Sequence, residues 1–140
     1  MPSKPRVLFN ASVILAGLAS PAGGSGKLLH WVQMGTIRGI ISEIILDEVM
    51  RNRDKLDISV SSVRTFMNIV IVVSAPKAAV VRGFESVVVD VGDTHVLASA
   101  KEHHADFLVT LDKKHLLVLQ KKIHTFAIVS PKELINRLAK

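Results

Sequence analysis

The sequence predicts an α/β protein, a three-layer α/β/α sandwich around a mostly parallel central sheet. Short apolar runs of strand length recur along all 140 residues. Nearly every run is followed by a stretch with helical apolar spacing, the signature of βα units and a parallel sheet. Polar residues close the runs at Asn10, Ser42 and Asp112, which is where a parallel sheet exposes its strand ends to ligands.

The first run is residues 6–9, closed by Asn10, Ala11 and Ser12, with a helix predicted over residues 13–18. Two basic residues, Lys4 and Arg6, precede this apolar segment, so a secretory leader is a rival reading. Asn10 and Ser12 interrupt the apolar run, and its removal would delete the first strand. Residues 21–26 read as a Gly- and Ser-rich turn before an amphipathic helix over 27–34. Gly26-Lys27 is not a phosphate loop, because Leu28 stands where Ser or Thr belongs and Pro21 where the earlier glycine belongs. The apolar face of the 27–34 helix also offers a surface for self-association, unless it is simply core.

Residues 38–41 form the second predicted strand, and Ser42 caps a helix running from Glu43 toward Arg53. On that helix Glu48 borders the apolar face, whereas Glu43 and Asp47 point to water. A less regular helix follows over 57–68, then a β-branched strand over 69–73. Residues 78–82 and 87–89 read as further extended runs. Asp93 is predicted to cap a helix through Ala100, residues 107–109 a buried strand ending toward Asp112, and residues 113–121 a helix. A last strand over 125–129 and a helix after Ser130-Pro131 complete the chain. We read residues 1–140 as one domain with no internal repeat.

Composition narrows the function classes. The chain has no cysteine, which excludes disulfides, thiolate zinc sites and a Cys nucleophile, and fits a reducing cytoplasm. Eighteen basic residues against twelve acidic give a net charge of +6, which suits a polyanionic partner. No run approaches the roughly 20 apolar residues of a membrane helix. His103 and His104 are neighbours whose directions on a helix differ by about 100°, too far to share a zinc ion easily.

Asn10, Glu48, Asp93 and Asp112 are polar residues at a strand end, on an inward helix face and at two helix starts. Carboxylates held together are unfavourable unless a cation neutralises them, and hard divalent ions prefer such oxygens. The alternative is that Asp93 and Asp112 are helix caps and Glu48 a solvated helix residue. Spacing alone leaves both readings open.

Four segments resemble the PIN domain family, including the VapC-type toxin ribonucleases, over nearly the whole chain. They are Val7 to Val13, Ser42 to Val49, Asp93 to Ala100 and Ala105 to Asp112, the last two being the more specific. The resemblance implies a Mg²⁺- or Mn²⁺-dependent ribonuclease acting on single-stranded RNA, with Glu48, Asp93 and Asp112 as metal ligands. It also implies an antitoxin partner over the acidic cleft. Members similar to this chain carry Asp where Asn10 stands, so one negative charge is missing. The implied enzyme is therefore impaired, or the domain is a silent RNA-binding or scaffold module. Ser12 and Thr110 are candidate supports for water or a ligand carboxylate. Lys113, Lys114 and Arg51, with Lys27, Arg53 and His115 nearby, are candidate contacts to an RNA backbone. Aromatic residues are only 4% of the chain, which argues against base stacking as the main grip.

Overall fold

In a computed structural model, which describes residues 4–139, five strands form one parallel sheet in the order β3-β2-β1-β4-β5. The strands are β1 (Arg6–Phe9), β2 (Arg38–Ser42), β3 (Ile71–Val73), β4 (Phe107–Val109) and β5 (Ala127–Val129). β1 is central, paired to β2 through Leu8 opposite Ile40 and to β4 through Leu8 opposite Leu108. Val7, Leu8 and Phe9 are wholly buried. That explains why β1 reads as a continuous apolar run rather than an alternating one.

The helices are α1 (Ala11–Ala19), α2 (Gly24–Met34), α3 (Glu43–Asn52), α4 (Val60–Met67), α5 (Ala78–Arg82), α6 (Thr94–Glu102) and α7 (Pro131–Leu138). α1 packs on α2 and α3, and α7 on α2, while α5 packs on α6 and α6 on β4. With right-handed crossovers this gives a helical layer on each face of the sheet. Strand order reverses direction between β1 and β4. The crevice beyond the carboxyl ends of those two strands is therefore where a fold of this kind binds ligands.

Several predicted elements are corrected. Residues 78–82 form the helix α5 rather than an extended run. Packing on α6 and the bond from the Lys77 amide to Glu102 Oε1, 3.1 Å, override the β-preference of Val80 and Val81. Residues 87–89 form no strand, because the Val87 and Val88 amides both turn back to the Phe84 carbonyl. Residues 113–121 do not form an α-helix. A turn leads into a 3-10 helix at Leu117–Leu119, and buried Leu116 and Leu119 stand at the spacing of three that such a helix superposes.

The helix predicted from Asp57 begins only at Val60, after Asp57 has taken a left-handed φ of 56° to end a 3-10 helix at Arg53–Leu56. α2 starts at Gly24, inside the predicted turn, and a Cβ on Gly26 would lie 2.2 Å from the Pro21 carbonyl oxygen. That glycine serves a close backbone crossing, not a phosphate. Leu28, Leu29 and Val32 on α2 are buried in the core, so that helix spends its apolar face inside the domain and leaves Met34 exposed.

Candidate metal and active site

The site grows from the loops after β1 and β4. The Asn10 amide donates to the Val109 carbonyl, 3.0 Å, extending the pairing of the two strands by one residue. Asn10 occupies the N-cap of α1 with the extended backbone of a cap, φ −70° and ψ 150°, yet its side chain makes no cap bond. Its Oδ1 instead accepts from the hydroxyls of Ser12, 2.9 Å, and Thr110, 3.0 Å. Those hydroxyls in turn accept from the amides of Leu111, 3.2 Å, and Asp112, 3.0 Å. One side-chain oxygen thus ties the two strand ends into a fixed loop. Ser12 and Thr110 are members of this network, Thr110 wholly buried.

Asp112 is held at its end. Its Oδ1 accepts from the amides of Lys114, 3.1 Å, and His115, 3.0 Å, which is the capping geometry expected for it. Its Oδ2 faces the His115 ring, 3.4 Å from Nδ1. One oxygen orients the group and the other remains available.

Asp93 does not cap α6. It ends a 3-10 helix, Val91–Asp93, and has helical backbone angles, φ −92° and ψ −5°, which direct its side chain away from the first amides of α6. Its Oδ2 is buried and has no hydrogen-bond partner, 3.6 Å from His115 Nδ1. Burial raises the Asp93 carboxyl above the usual Asp range, helped by the charges of Asp112 and Asp90 and opposed by those of His115 and His95. A partnerless buried carboxylate oxygen beside further acids is the environment a cation relieves.

Glu48 lies on α3 and is one-third exposed, with Oε1 3.3 Å from His95 Nε2. The same imidazole also acts electrostatically on Asp93. Its Nδ1 is buried without a partner. Among the described residues, the donor atoms of Asp90, Asp93 and His115 gather within 4.8 Å of one another, and Glu48 and Asp112 are not part of that tighter group.

Asp90, His95 and this use of His115 were not singled out from the sequence. Asp90-Val91-Gly92-Asp93 carried a local signal for the first, since Asp90 Oδ1 accepts from the Gly92 amide at 2.8 Å in an Asx turn. The other two depend on tertiary contacts. Lys113 and Lys114 are exposed beside Asp112, whereas Arg51 pairs with Asp47 at 2.8 Å on the solvent side of α3. The donor set of carboxylate oxygens and one imidazole, with an orphaned oxygen among them, fits a divalent cation.

Comparison with known proteins agrees with this architecture. The PIN domain family model matches residues 6–114. The chain is similar to VapBC2 from Rickettsia felis, solved bound to a DNA fragment from its promoter, at 13% identity and a TM-score of 0.63, covering 89% of this chain and 98% of that one. It is similar to PAE2754 from Pyrobaculum aerophilum at 18% identity and a TM-score of 0.64, covering 96% of each. FitAB bound to an IR36 DNA fragment aligns at 15% identity and a TM-score of 0.58, covering 89% of this chain and 94% of that one. These likenesses concern the fold. The chain matches no curated protein sequence at a significant level.

Proposed function

The chain belongs to the PIN domain family, and from that premise we propose that it is a divalent-metal-dependent ribonuclease of single-stranded RNA, impaired by Asn10. The observation that carries this reading is the buried, partnerless Asp93 Oδ2 beside Asp90 and Asp112. Glu48, Asp93 and Asp112 hold Mg²⁺ or Mn²⁺. When bound, the ion activates a water and stabilises negative charge on the phosphate oxygens.

The protein's own groups do the rest. Thr110 and Ser12 fix the loop that aims Asp112. Lys113 and Lys114 meet the RNA backbone electrostatically, as does Arg51, whose exposed pair with Asp47 is of the weak kind that exchanges readily for a phosphate. Such a grip is salt-sensitive.

The proposal extends to regulation. VapBC2 and FitAB are among the similar structures, and an antitoxin covering the acidic cleft would hold this chain in check as part of a toxin-antitoxin pair. We place it in the cytoplasm as a one-domain homodimer. No helix among the described residues is long and apolar enough to cross a membrane, and none is needed.

One observation favours a second reading, a silent PIN-like RNA-binding or scaffold domain. An amide oxygen has two acceptor positions, and Asn10 Oδ1 receives two hydroxyls. The residue therefore supports the loop without offering an oxygen to an ion.

Cleavage of a labelled single-stranded RNA with Mg²⁺ or Mn²⁺ separates the readings, comparing the chain with Asn10→Asp, Asp112→Asn and the double variant. Cleavage appearing only in Asn10→Asp identifies a nuclease silenced at that position. Cleavage by the unaltered chain, lost in Asp112→Asn, shows that the remaining acids suffice. Absence of cleavage in every variant leaves the silent domain.

A further inference from the structure

The family resemblance implies an all-oxygen site, and this chain does not present one. Asn10, where a carboxylate is expected, has its carbonyl oxygen engaged by Ser12 and Thr110. Its remaining side-chain group is an NH₂, a donor that repels a cation. Opposite, the loop after β4 delivers a nitrogen donor. His115 Nδ1 lies 3.4 Å from Asp112 Oδ2 and 3.6 Å from Asp93 Oδ2.

Both separations exceed a charge-assisted hydrogen bond of about 2.7 to 2.9 Å. The separation from Asp93, whose donor gathers with those of His115 and Asp90, is that of one edge of a coordination polyhedron. Ligand atoms about 2.1 Å from one tetrahedral ion stand about 3.4 Å apart. Around an octahedral Mg²⁺ at about 2.1 Å, neighbouring oxygens stand about 3.0 Å apart. Asp90 is the further acid whose donor lies within 4.8 Å of those of Asp93 and His115.

We propose that His115 is a ligand of the ion in this chain, giving a mixed imidazole and carboxylate site that selects a borderline transition ion over Mg²⁺. Imidazole suits Zn²⁺, Co²⁺ and Ni²⁺, whereas Mg²⁺ demands oxygen and keeps its waters. Asp93 and Asp90 supply the carboxylates gathered with His115, while Asp112 Oδ2 faces the imidazole from outside that group. The inference rests on the metal-binding part of the proposed function. It changes which residue and which ion complete the site.

The test is a calorimetric titration of the full chain with Co²⁺ and, separately, with Mg²⁺, alongside the visible absorption of the Co²⁺ form. His115→Gln and Asp93→Asn are compared with the unaltered protein, and circular dichroism checks that each variant folds. The inference predicts that His115→Gln loses Co²⁺ affinity by about tenfold or more and changes the Co²⁺ spectrum, while Mg²⁺ affinity moves less than about threefold. Equal losses for both ions, or none with an unchanged spectrum, overturn it. If Asp93→Asn loses both ions while His115→Gln loses neither, the metal reading stands and the His115 assignment falls. If the unaltered chain binds neither ion, both fall together.

Discussion

Four helix starts in this domain divide into two kinds. Ser42 and Ser130 do what a cap does: Ser42 Oγ accepts from the Ile45 amide at 3.1 Å, and Ser130 forms a full capping box with Glu133 beside Pro131. Asn10 and Asp93 hold the same position on α1 and α6, and neither side chain makes a cap bond. Asn10 is diverted to the hydroxyls of Ser12 and Thr110, while one oxygen of Asp93 is buried with nothing to bond. Of these four polar groups, the two that make no cap bond flank the switch point of the sheet, where Asp112 keeps its cap with one oxygen and leaves the other available. At Asn10 and Asp93 the local cap bond is given up beside the candidate site.

The largest effect is expected at Asp93. Asp93→Asn is expected to weaken Mn²⁺ binding by about a hundredfold, or roughly 2.7 kcal/mol, in calorimetric titration. Without ion the same change should stabilise the fold, since the charged carboxyl is disfavoured there. The gain is read as a rise in melting temperature, each 1 kcal/mol being worth about 3 °C for a domain of this size. The pH dependence has a definite sign. A carboxyl raised in the fold costs nothing below its ordinary value and costs progressively more as pH climbs through the raised value. Metal-free melting temperatures should therefore fall across that window in the unaltered chain, and less in Asp93→Asn.

Asn10→Asp comes next. One carboxylate oxygen can keep both hydroxyl bonds while the other faces the ion, so Mn²⁺ affinity should rise about tenfold, near 1.4 kcal/mol. Equal affinity would remove Asn10 from the site.

The true caps respond in the opposite way. Ser42→Ala, at a wholly buried position, should cost about 1 to 2 kcal/mol in chemical denaturation and leave ion binding unchanged. Ser130→Ala, at a more exposed start, should cost about 0.5 to 1 kcal/mol. There the pH sign reverses. The Ser130 backbone amide, with Gln120 and the Ser130 hydroxyl, holds the Glu133 carboxyl below its usual range. Its contribution is present above the ordinary Glu value and is lost as pH falls through the lowered one, though solvent screening keeps it small. Mild acid thus loosens the α7 cap while it relieves Asp93.

The fold was largely legible because it rests on local patterns. The runs that became β1, β2 and β4 are almost free of polar residues, as a sheet covered on both faces requires. The elements misread were those whose neighbours decide the outcome. α5 takes its shape from α6, and the segment after Asp112 is tightened by bonds to the Asp112 carbonyl and carboxylate. The candidate site was legible as a list of acids, but not in the contacts that join them. The sequence marks Asp93 as a cap, and only its helical backbone angles reveal a freed carboxylate. The contact of Glu48 with His95 spans two helices, and the approach of His115 to Asp93 joins two loops. Neither has a local sequence signature.

The measurement that bears most directly on the central claim is the thermal unfolding of the unaltered chain and of Asp93→Asn, each with and without saturating Mn²⁺. An ion bound only by the folded state at about 100 times its dissociation constant adds roughly 2.7 kcal/mol. Without ion, Asp93→Asn should melt higher than the unaltered chain. At a concentration about 100 times the unaltered chain's dissociation constant, Mn²⁺ should stabilise the unaltered chain by roughly 2.7 kcal/mol and the variant by only about 0.4 kcal/mol. A variant that melts lower and responds to Mn²⁺ as the unaltered chain does would show that Asp93 is a structural group like Ser42, and the division among the helix starts would not mark a site.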